Sequence, residues 1–150
     1  MVPAQDFFVS YYQTQLESGE MLVAIHIPTA KKGSGDGFAP MSVGGTDVLN
    51  IIAGASTVTL QDDGRIANIA VVVTGAAERP VRFAVVEQQL TGTSGAAFDL
   101  DEAFGRFDTT ILEPPDDVHA SAEYRRDMAS VFARRAVEQA VDNARRGFHD

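Results

Sequence analysis

The sequence contains no cysteine, and it has far fewer basic than acidic side chains. The absence of cysteine excludes disulfide bonds, thiolate metal sites and cysteine nucleophiles together. Lys and Arg number 12 against 21 Asp and Glu, which gives a formal net charge of −9. Nucleic acids and anionic membranes bind proteins through clustered Lys and Arg, so we expect neither as a partner.

Long hydrophobic runs are also missing. No apolar run approaches the roughly 18 to 20 residues that cross a bilayer, and the N-terminus lacks the basic and apolar segments of a secretory signal peptide. We therefore expect a cytoplasmic protein. The 150 residues, 45% of them hydrophobic, are enough to bury one core, and we expect a single domain over residues 1–150.

Sequence patterns for catalysis and metal binding are absent as well. The three histidines, His26, His119 and His149, follow none of the spacings that bind zinc. No serine lies in a Gly-x-Ser-x-Gly sequence. We expect no catalytic residue and no metal site in this chain.

The clearest structural pattern runs from Leu49 to Gly75. Small and apolar residues alternate on both sides of Asp62-Asp63-Gly64-Arg65, and glycine can adopt the positive φ that a tight hairpin turn needs. The pattern predicts a long antiparallel hairpin. Because both of its faces are small or apolar, we expect the rest of the chain to cover each side.

Shorter patterns predict the remaining elements. Alternating apolar residues predict a strand over residues 21–27, ended by Pro28. The glycine-rich residues 29–37 are typical of a flexible surface loop, and a phosphate-binding loop is the weaker alternative. Helices are predicted over residues 80–90, from about Asp99 to Phe107, and over residues 121–146.

The last helix carries a stripe of small residues beside a stripe of large ones. The small residues are Ala122, Ala129, Ala133, Ala136, Ala140 and Ala144. Such a stripe admits a closely packed neighbour, or it only reflects the high helix propensity of alanine. If it is a contact, the helices at 80–90 and 99–107 are the expected partners, with a missing subunit or a second copy of the chain as alternatives.

An ordered set of segments resembles the C-terminal domain of the FAD-binding medium subunit of molybdenum hydroxylases, the carbon monoxide dehydrogenase and xanthine dehydrogenase group. The segments extend over residues 5–145 and are Asp6-Phe7-Phe8-Val9, Leu16-Glu17-Ser18-Gly19-Glu20-Met21-Leu22, Ile25-His26-Ile27-Pro28, Leu60-Gln61-Asp62-Asp63-Gly64-Arg65-Ile66, Arg79-Pro80-Val81-Arg82, Ser121-Ala122-Glu123-Tyr124-Arg125-Arg126 and Ala133-Arg134-Arg135-Ala136. Each segment is weak alone, whereas their order and spacing are specific.

The resemblance implies a fold and a site. The fold is α+β, an antiparallel sheet of three to four strands packed against about three helices, which agrees with the pattern analysis. In the family, an aromatic-x-Lys segment and an Asp face the flavin before the central strand. Phe38 and Asn50 occupy those places here, so they are the cofactor-facing candidates, while Pro40 replaces the lysine.

The resemblance also implies partners. In the family an FAD-binding domain precedes this one, and no counterpart of it is found in residues 1–150, so the chain is an excised piece, a split subunit or a stand-alone relative. We expect FAD in the parent complex but none bound by this chain alone. The implied function is a non-catalytic domain of a flavin- and molybdenum-dependent oxidoreductase that supports assembly and shields the flavin.

Its partners would be the FAD-binding domain and the iron–sulfur and molybdopterin subunits, and a homo-oligomer is also possible. The alternative function is a stand-alone binding or interaction module that kept the fold without redox activity.

Overall fold

The computed structural model describes residues 1–42 and 50–147. A helical turn, α1 (Ala4–Phe7), precedes two short paired strands, β1 (Phe8–Ser10) and β2 (Gln13–Thr14). A four-stranded antiparallel sheet follows, in the order β3 (Ser34–Ser42), β4 (Asn50–Leu60), β5 (Ile66–Thr74) and β6 (Val81–Arg82). The helices are α2 (Ala84–Leu90), α3 (Ala97–Gly105), a 3₁₀ turn (Thr109–Ile111) and α4 (Ala122–Arg146). The α+β prediction is confirmed.

The predicted hairpin is confirmed as β4 and β5. Their register pairs Thr59 with Asn68 and Ala53 with Thr74. At the turn Gly64 has a φ of 81°, and its N–H donates to the carbonyl of Gln61 at 2.9 Å. The positive φ explains why the Asp-Gly pair identified the turn from sequence.

The two faces of the sheet differ in their cover. On β4 the side chains that face the helices are all buried, namely Ile52, Gly54, Ser56, Val58 and Leu60. On the opposite face Ile51 and Ala53 are buried, whereas Ala55 and Thr57 are exposed. The expectation that both faces are covered therefore holds at the start of β4 and is wrong from Ala55 to Thr57.

Helix α4 approaches the sheet at three glycines. A Cβ atom on Gly35 would overlap the backbone of Ala144, one on Gly37 the carbonyl oxygen of Ala136, and one on Gly54 the carbonyl oxygen of Phe132. The expected flexible loop over residues 29–37 is wrong from Ser34 onward, because these glycines lie in or beside strands where a helix backbone comes very close.

The alanine stripe forms the other half of this contact. The buried alanines of α4 are Ala129, Ala133, Ala136, Ala140 and Ala144. The internal contact is confirmed, but the expected partners, the helices at 80–90 and 99–107, are wrong. The stripe lies on β3 and β4 instead, while the large Tyr124 is almost half exposed.

The smaller helices complete the core beside α4. The rings of Phe83 and Phe107 stack with centroids 4.0 Å apart. Val86, Leu90 and Leu100 are fully or almost fully buried in the same cluster. The predicted helix at 80–90 begins only at Ala84, because the two residues after Pro80 pair with β5 as β6. None of the described helices has the length and apolar character needed to span a membrane.

The predicted strand at residues 21–27 is wrong. These residues have no secondary structure and are exposed throughout. Their apolar alternation is strand-like, but a strand needs a hydrogen-bonded neighbour, and the described part of the chain offers none.

Gly37→Ala tests the helix–sheet contact. Because the added methyl group would meet the backbone of α4, we expect the free energy of unfolding to fall by about 3 kcal/mol or more, measured by urea denaturation. Gly105→Ala is the matched control, since a Cβ atom there has no atom within 4 Å outside its immediate neighbours. We expect that control to be unchanged or slightly more stable. Equal stability of the two variants would contradict the contact.

Candidate functional site

Phe38 lies halfway along the edge strand β3, on the side of the sheet opposite α4. Its side chain is 56% exposed, and across the strands it pairs with Ala55, which in turn pairs with Val72. Residues directly opposite on neighbouring strands share a face, so these three side chains form one row. We call Phe38, Ala55, Ala70 and Val72 the open face. Its residues are apolar and, apart from Phe38, small; Phe38 and Ala55 are exposed, and Ala70 and Val72 are partly buried.

Asn50 lies at the start of β4, away from that row. It pairs with Ser42, whose hydroxyl donates to the Asn50 Oδ1 at 2.8 Å. Ser42 is four residues beyond Phe38, about 13 Å along an extended strand. The structure thus places both candidates on the same two strands but does not bring them together. Residues 43–49 lie outside the described residues, and with them the bend that Gly44-Gly45-Thr46 predict before the hairpin.

The outer edge of β3 is closed by side chains of α4. The Phe38 N–H donates to Gln139 Oε1 at 3.1 Å, and Asn143 Nδ2 donates to the carbonyl of Asp36 at 2.7 Å. Pro40 carries no N–H at all. The edge therefore presents few free groups to another strand.

A buried arginine fixes the start of β4 next to Asn50. Arg125 is 4% exposed, and its Nη1 donates to the carbonyl of Ile51 at 2.7 Å. Its Nη2 donates to Asp117 Oδ2, also at 2.7 Å. Hydrogen bonds from the His119 N–H and from Arg125 hold the pKa of the Asp117 carboxyl well below its usual range, at about 2. This pair ties the N-terminal turn of α4 to the central strand.

A second buried charge replaces sheet hydrogen bonds where β6 ends. Glu87 Oε1 accepts from the Val71 N–H and from Arg82 Nε, both at 2.8 Å. The carboxylate thus takes the place of a strand neighbour for β5 and raises the pKa of Arg82. Charge-assisted hydrogen bonds of this kind are stronger than neutral ones.

Sequence analysis missed Arg125 and Glu87. Arg125 occupies the stripe position four residues before Ala129, so a charged residue in an otherwise small stripe was the available signal. Glu87 follows the buried Val86 in α2, and its partner Arg82 lies five residues earlier.

Two clefts in the described residues are small. One, of about 150 Å³, is lined by Gln89, Asp99 and Arg106 among others, and one of about 190 Å³ by Val9, Glu78 and Glu113 among others. Enclosed ligand sites usually measure roughly 300 to 1,000 Å³. The described residues also contain no cluster of three His, Asp or Glu side chains that could hold a metal ion.

Sequence comparison decides the family. The model described as the CO dehydrogenase flavoprotein C-terminal domain matches residues 44–140. The chain belongs to this family. The carbon monoxide dehydrogenase medium chain of Afipia carboxidovorans is 32% identical over 145 residues, which cover 97% of this chain and 49% of that protein. The nicotine 6-hydroxylase medium subunit of Paenarthrobacter nicotinovorans is 30% identical, covering 93% of this chain and 47% of that protein.

Structural comparison agrees. A chain of reconstituted CO dehydrogenase from Oligotropha carboxidovorans superposes with a TM-score of 0.84 at 31% identity, over 95% of this chain and 49% of that chain. The resemblance to medium subunits of molybdenum hydroxylases is confirmed. The chain spans about half the length of the relatives it matches. The flavin-facing roles of Phe38 and Asn50 stay predictions.

Asp117→Asn tests the contact between α4 and β4 that Arg125 makes with Asp117 and Ile51. A carboxyl whose pKa is lowered on folding, here from 3.8 to about 2, stabilises the folded state above the unfolded pKa. That contribution is lost as the pH falls through the folded pKa. We expect the variant to be less stable than the wild type at pH 7, and the gap in unfolding free energy to narrow between pH 4 and pH 2. Urea denaturation at several pH values measures the gap, and a gap independent of pH would contradict the assignment.

Proposed function

We propose that the chain is a non-catalytic domain of the flavin-carrying subunit of a flavin- and molybdenum-dependent oxidoreductase. There it supports assembly and shields the flavin. The near-complete overlay on half of a CO dehydrogenase chain supports this role. FAD-binding, iron–sulfur and molybdopterin components are the proposed partners, and the flavin belongs to the complex rather than to this chain alone.

The open face is the observation that carries the proposal. The helices of the chain cover one side of the sheet, whereas Phe38 and Ala55 are exposed on the other and Val72 is partly buried there. Small side chains around one aromatic ring allow a flat group or a second domain to approach closely. Phe38 also lies in the segment that the family directs towards the flavin. We therefore assign the open face to the side of the domain that faces the flavin-binding half.

The purified chain should not retain FAD. Neither of the two clefts described above has the volume of a dinucleotide site, and Pro40 stands where the family has a lysine. We expect a colourless preparation and no saturable quenching when micromolar FAD is titrated. The FAD-binding half of the Afipia carboxidovorans medium chain is the positive control. A yellow preparation with nearly stoichiometric flavin would contradict this expectation.

Phe38→Asp tests whether the open face shields the flavin from solvent. The FAD-loaded Afipia half is mixed with this chain, and iodide quenching of the flavin fluorescence reports exposure to solvent. We expect the wild type to reduce quenching and Phe38→Asp to lose most of that protection, because a buried carboxylate would be left without a partner. Phe98→Asp is the matched control, since Phe98 is 74% exposed on α3, on the helical side of the domain.

The quenching results distinguish a shielding domain from a stand-alone interaction module. Protection by the wild type and Phe98→Asp but not by Phe38→Asp supports the shielding domain. Equal protection by all three chains would overturn the role of the open face. If the wild type does not associate with the flavin-binding half, the chain is instead a stand-alone interaction module.

A further inference from the structure

The row of side chains that begins at Phe38 crosses the whole sheet and ends at an arginine. Phe38 pairs with Ala55, Ala55 with Val72, and Val72 with Arg82 on β6. Directly opposite residues share a face of the sheet, so Arg82 leaves the backbone on the side of the open face. Neighbouring strands are about 4.8 Å apart, which separates the Cα atoms of Phe38 and Arg82 by roughly 14 Å. The row thus has an aromatic ring at one edge and a cation at the other.

The guanidinium of Arg82 is held in one orientation by Glu87. Arg82 Nε donates to Glu87 Oε1 at 2.8 Å and to Oε2 at 3.0 Å. The Glu87 carboxylate is itself fixed, because it accepts from the Val71 N–H at 2.8 Å and its side chain is only 10% exposed. Val86 and Leu90 of the same helix are fully buried. An arginine that is already ordered in the free domain loses little further side-chain entropy when it binds a partner.

The other edge of this guanidinium has no acceptor. Within residues 1–42 and 50–147, Arg82 forms side-chain hydrogen bonds through Nε alone, and Nη1 and Nη2 form none. The side chain as a whole is 56% exposed. The two Nη groups of a planar guanidinium make a fork that matches both oxygens of a carboxylate. The free edge of Arg82 therefore suits a carboxylate ligand.

Charge decides which kind of partner carries that carboxylate. Glu87 offsets the charge of Arg82, and the chain has a net charge of −9, so a free anion gains little from long-range attraction to this site. A second copy of the chain carries the same −9 and would be repelled. The carboxylate must therefore belong to a different surface, held in place by further contacts. The apolar row beside Arg82 offers those contacts, and aromatic and arginine side chains are the groups enriched at binding hot spots.

We propose that the open face is a protein-docking surface on which Arg82 binds an acidic side chain of the flavin-binding half, with Phe38 as the apolar anchor. The assignment rests on the proposed function and names the contact that holds the shielding domain in place. Asp36 lies on the same face, where it accepts from Thr57 Oγ1 at 2.7 Å and is exposed. An acidic group of the partner is repelled at Asp36 and attracted at Arg82, which fixes the direction in which the partner lies.

Binding to the FAD-loaded half of the Afipia carboxidovorans medium chain tests Arg82. The double variant Arg82→Met/Glu87→Gln removes both charges together, and the glutamine Oε1 can still accept from the Val71 N–H. We expect it to weaken the affinity about tenfold or more, measured by calorimetry, because the carboxylate of the partner is left buried without its donor. Arg106→Met/Glu102→Gln is the matched control, since these residues form a similar pair at α3, 2.7 Å apart. We expect that control to bind like the wild type.

Salt and a conservative variant distinguish a bound carboxylate from an effect on packing. The affinity of the wild type should fall more steeply than that of the Arg82→Met/Glu87→Gln variant between about 0.05 M and about 0.5 M NaCl. Arg82→Lys keeps the charge but lacks the planar fork, so it should bind between the two. Thermal unfolding shows whether each variant folds. If the double variant does not fold, Arg82→Lys decides, and an affinity equal to that of the wild type would overturn the assignment.

The remaining outcomes separate this assignment from the proposed function. If the wild type and the double variant bind the flavin-binding half equally well, or with the same salt dependence, the role of Arg82 fails while the proposed function stands. If the wild type does not bind that half, the proposed function fails and the role of Arg82 fails with it. If light scattering shows self-association that the double variant loses, the occupant is a second copy and the assignment is overturned.

Discussion

The close contact between α4 and the first two strands of the sheet determines the arrangement of the rest. Glycine on the sheet and alanine on the helix allow the two backbones to approach until even a methyl group would overlap, as at Gly37 beneath Ala136. Interiors pack at high density, so such a contact has little freedom to shift. It fixes which face of the 25-residue helix is buried. Larger side chains of α4, Phe132 and Val137 among them, are buried in the same core cluster as Val86 of α2 and Leu100 of α3.

One consequence is that the described residues form two layers and not three. A sheet must bury one apolar face, and α4 with its neighbours supplies that cover. The opposite face keeps Ala55, Ala70 and Thr57 where larger residues would protrude, and Thr57 donates to Asp36 across the strands at 2.7 Å. This surface is tolerable in water because it is small and flanked by polar groups. Phe38 is the exception, and its exposure is what gives the open face a functional interpretation.

Short-range sequence patterns predicted much of this fold. The predictions that were wrong concern contacts between residues far apart in the sequence. The β4–β5 hairpin and the Ser121 cap, whose hydroxyl accepts from the Tyr124 N–H at 3.2 Å, depend on neighbours in sequence and were predictable. The partner of the alanine stripe was not, because glycines about 100 residues earlier had first to be recognised as strand residues. Arg125 and its acceptor at Ile51 are 74 positions apart. For the site, the sequence could name Phe38 and Asn50 but not their separation, which follows from the register.

Residues 21–27 show how a correct sequence pattern can predict a wrong secondary-structure element. Alternation reports that one side of an extended segment will be buried, but it does not say by what, and a strand forms only against another strand. The chain itself closes both edges of its sheet with polar side chains, Gln139 and Asn143 at one end and Glu87 at the other. Such closure is a common defence against unwanted pairing. A protein that protects its own edges yet leaves Val23, Ile25 and Ile27 exposed has a core that is complete in itself and an N-terminal segment that is not.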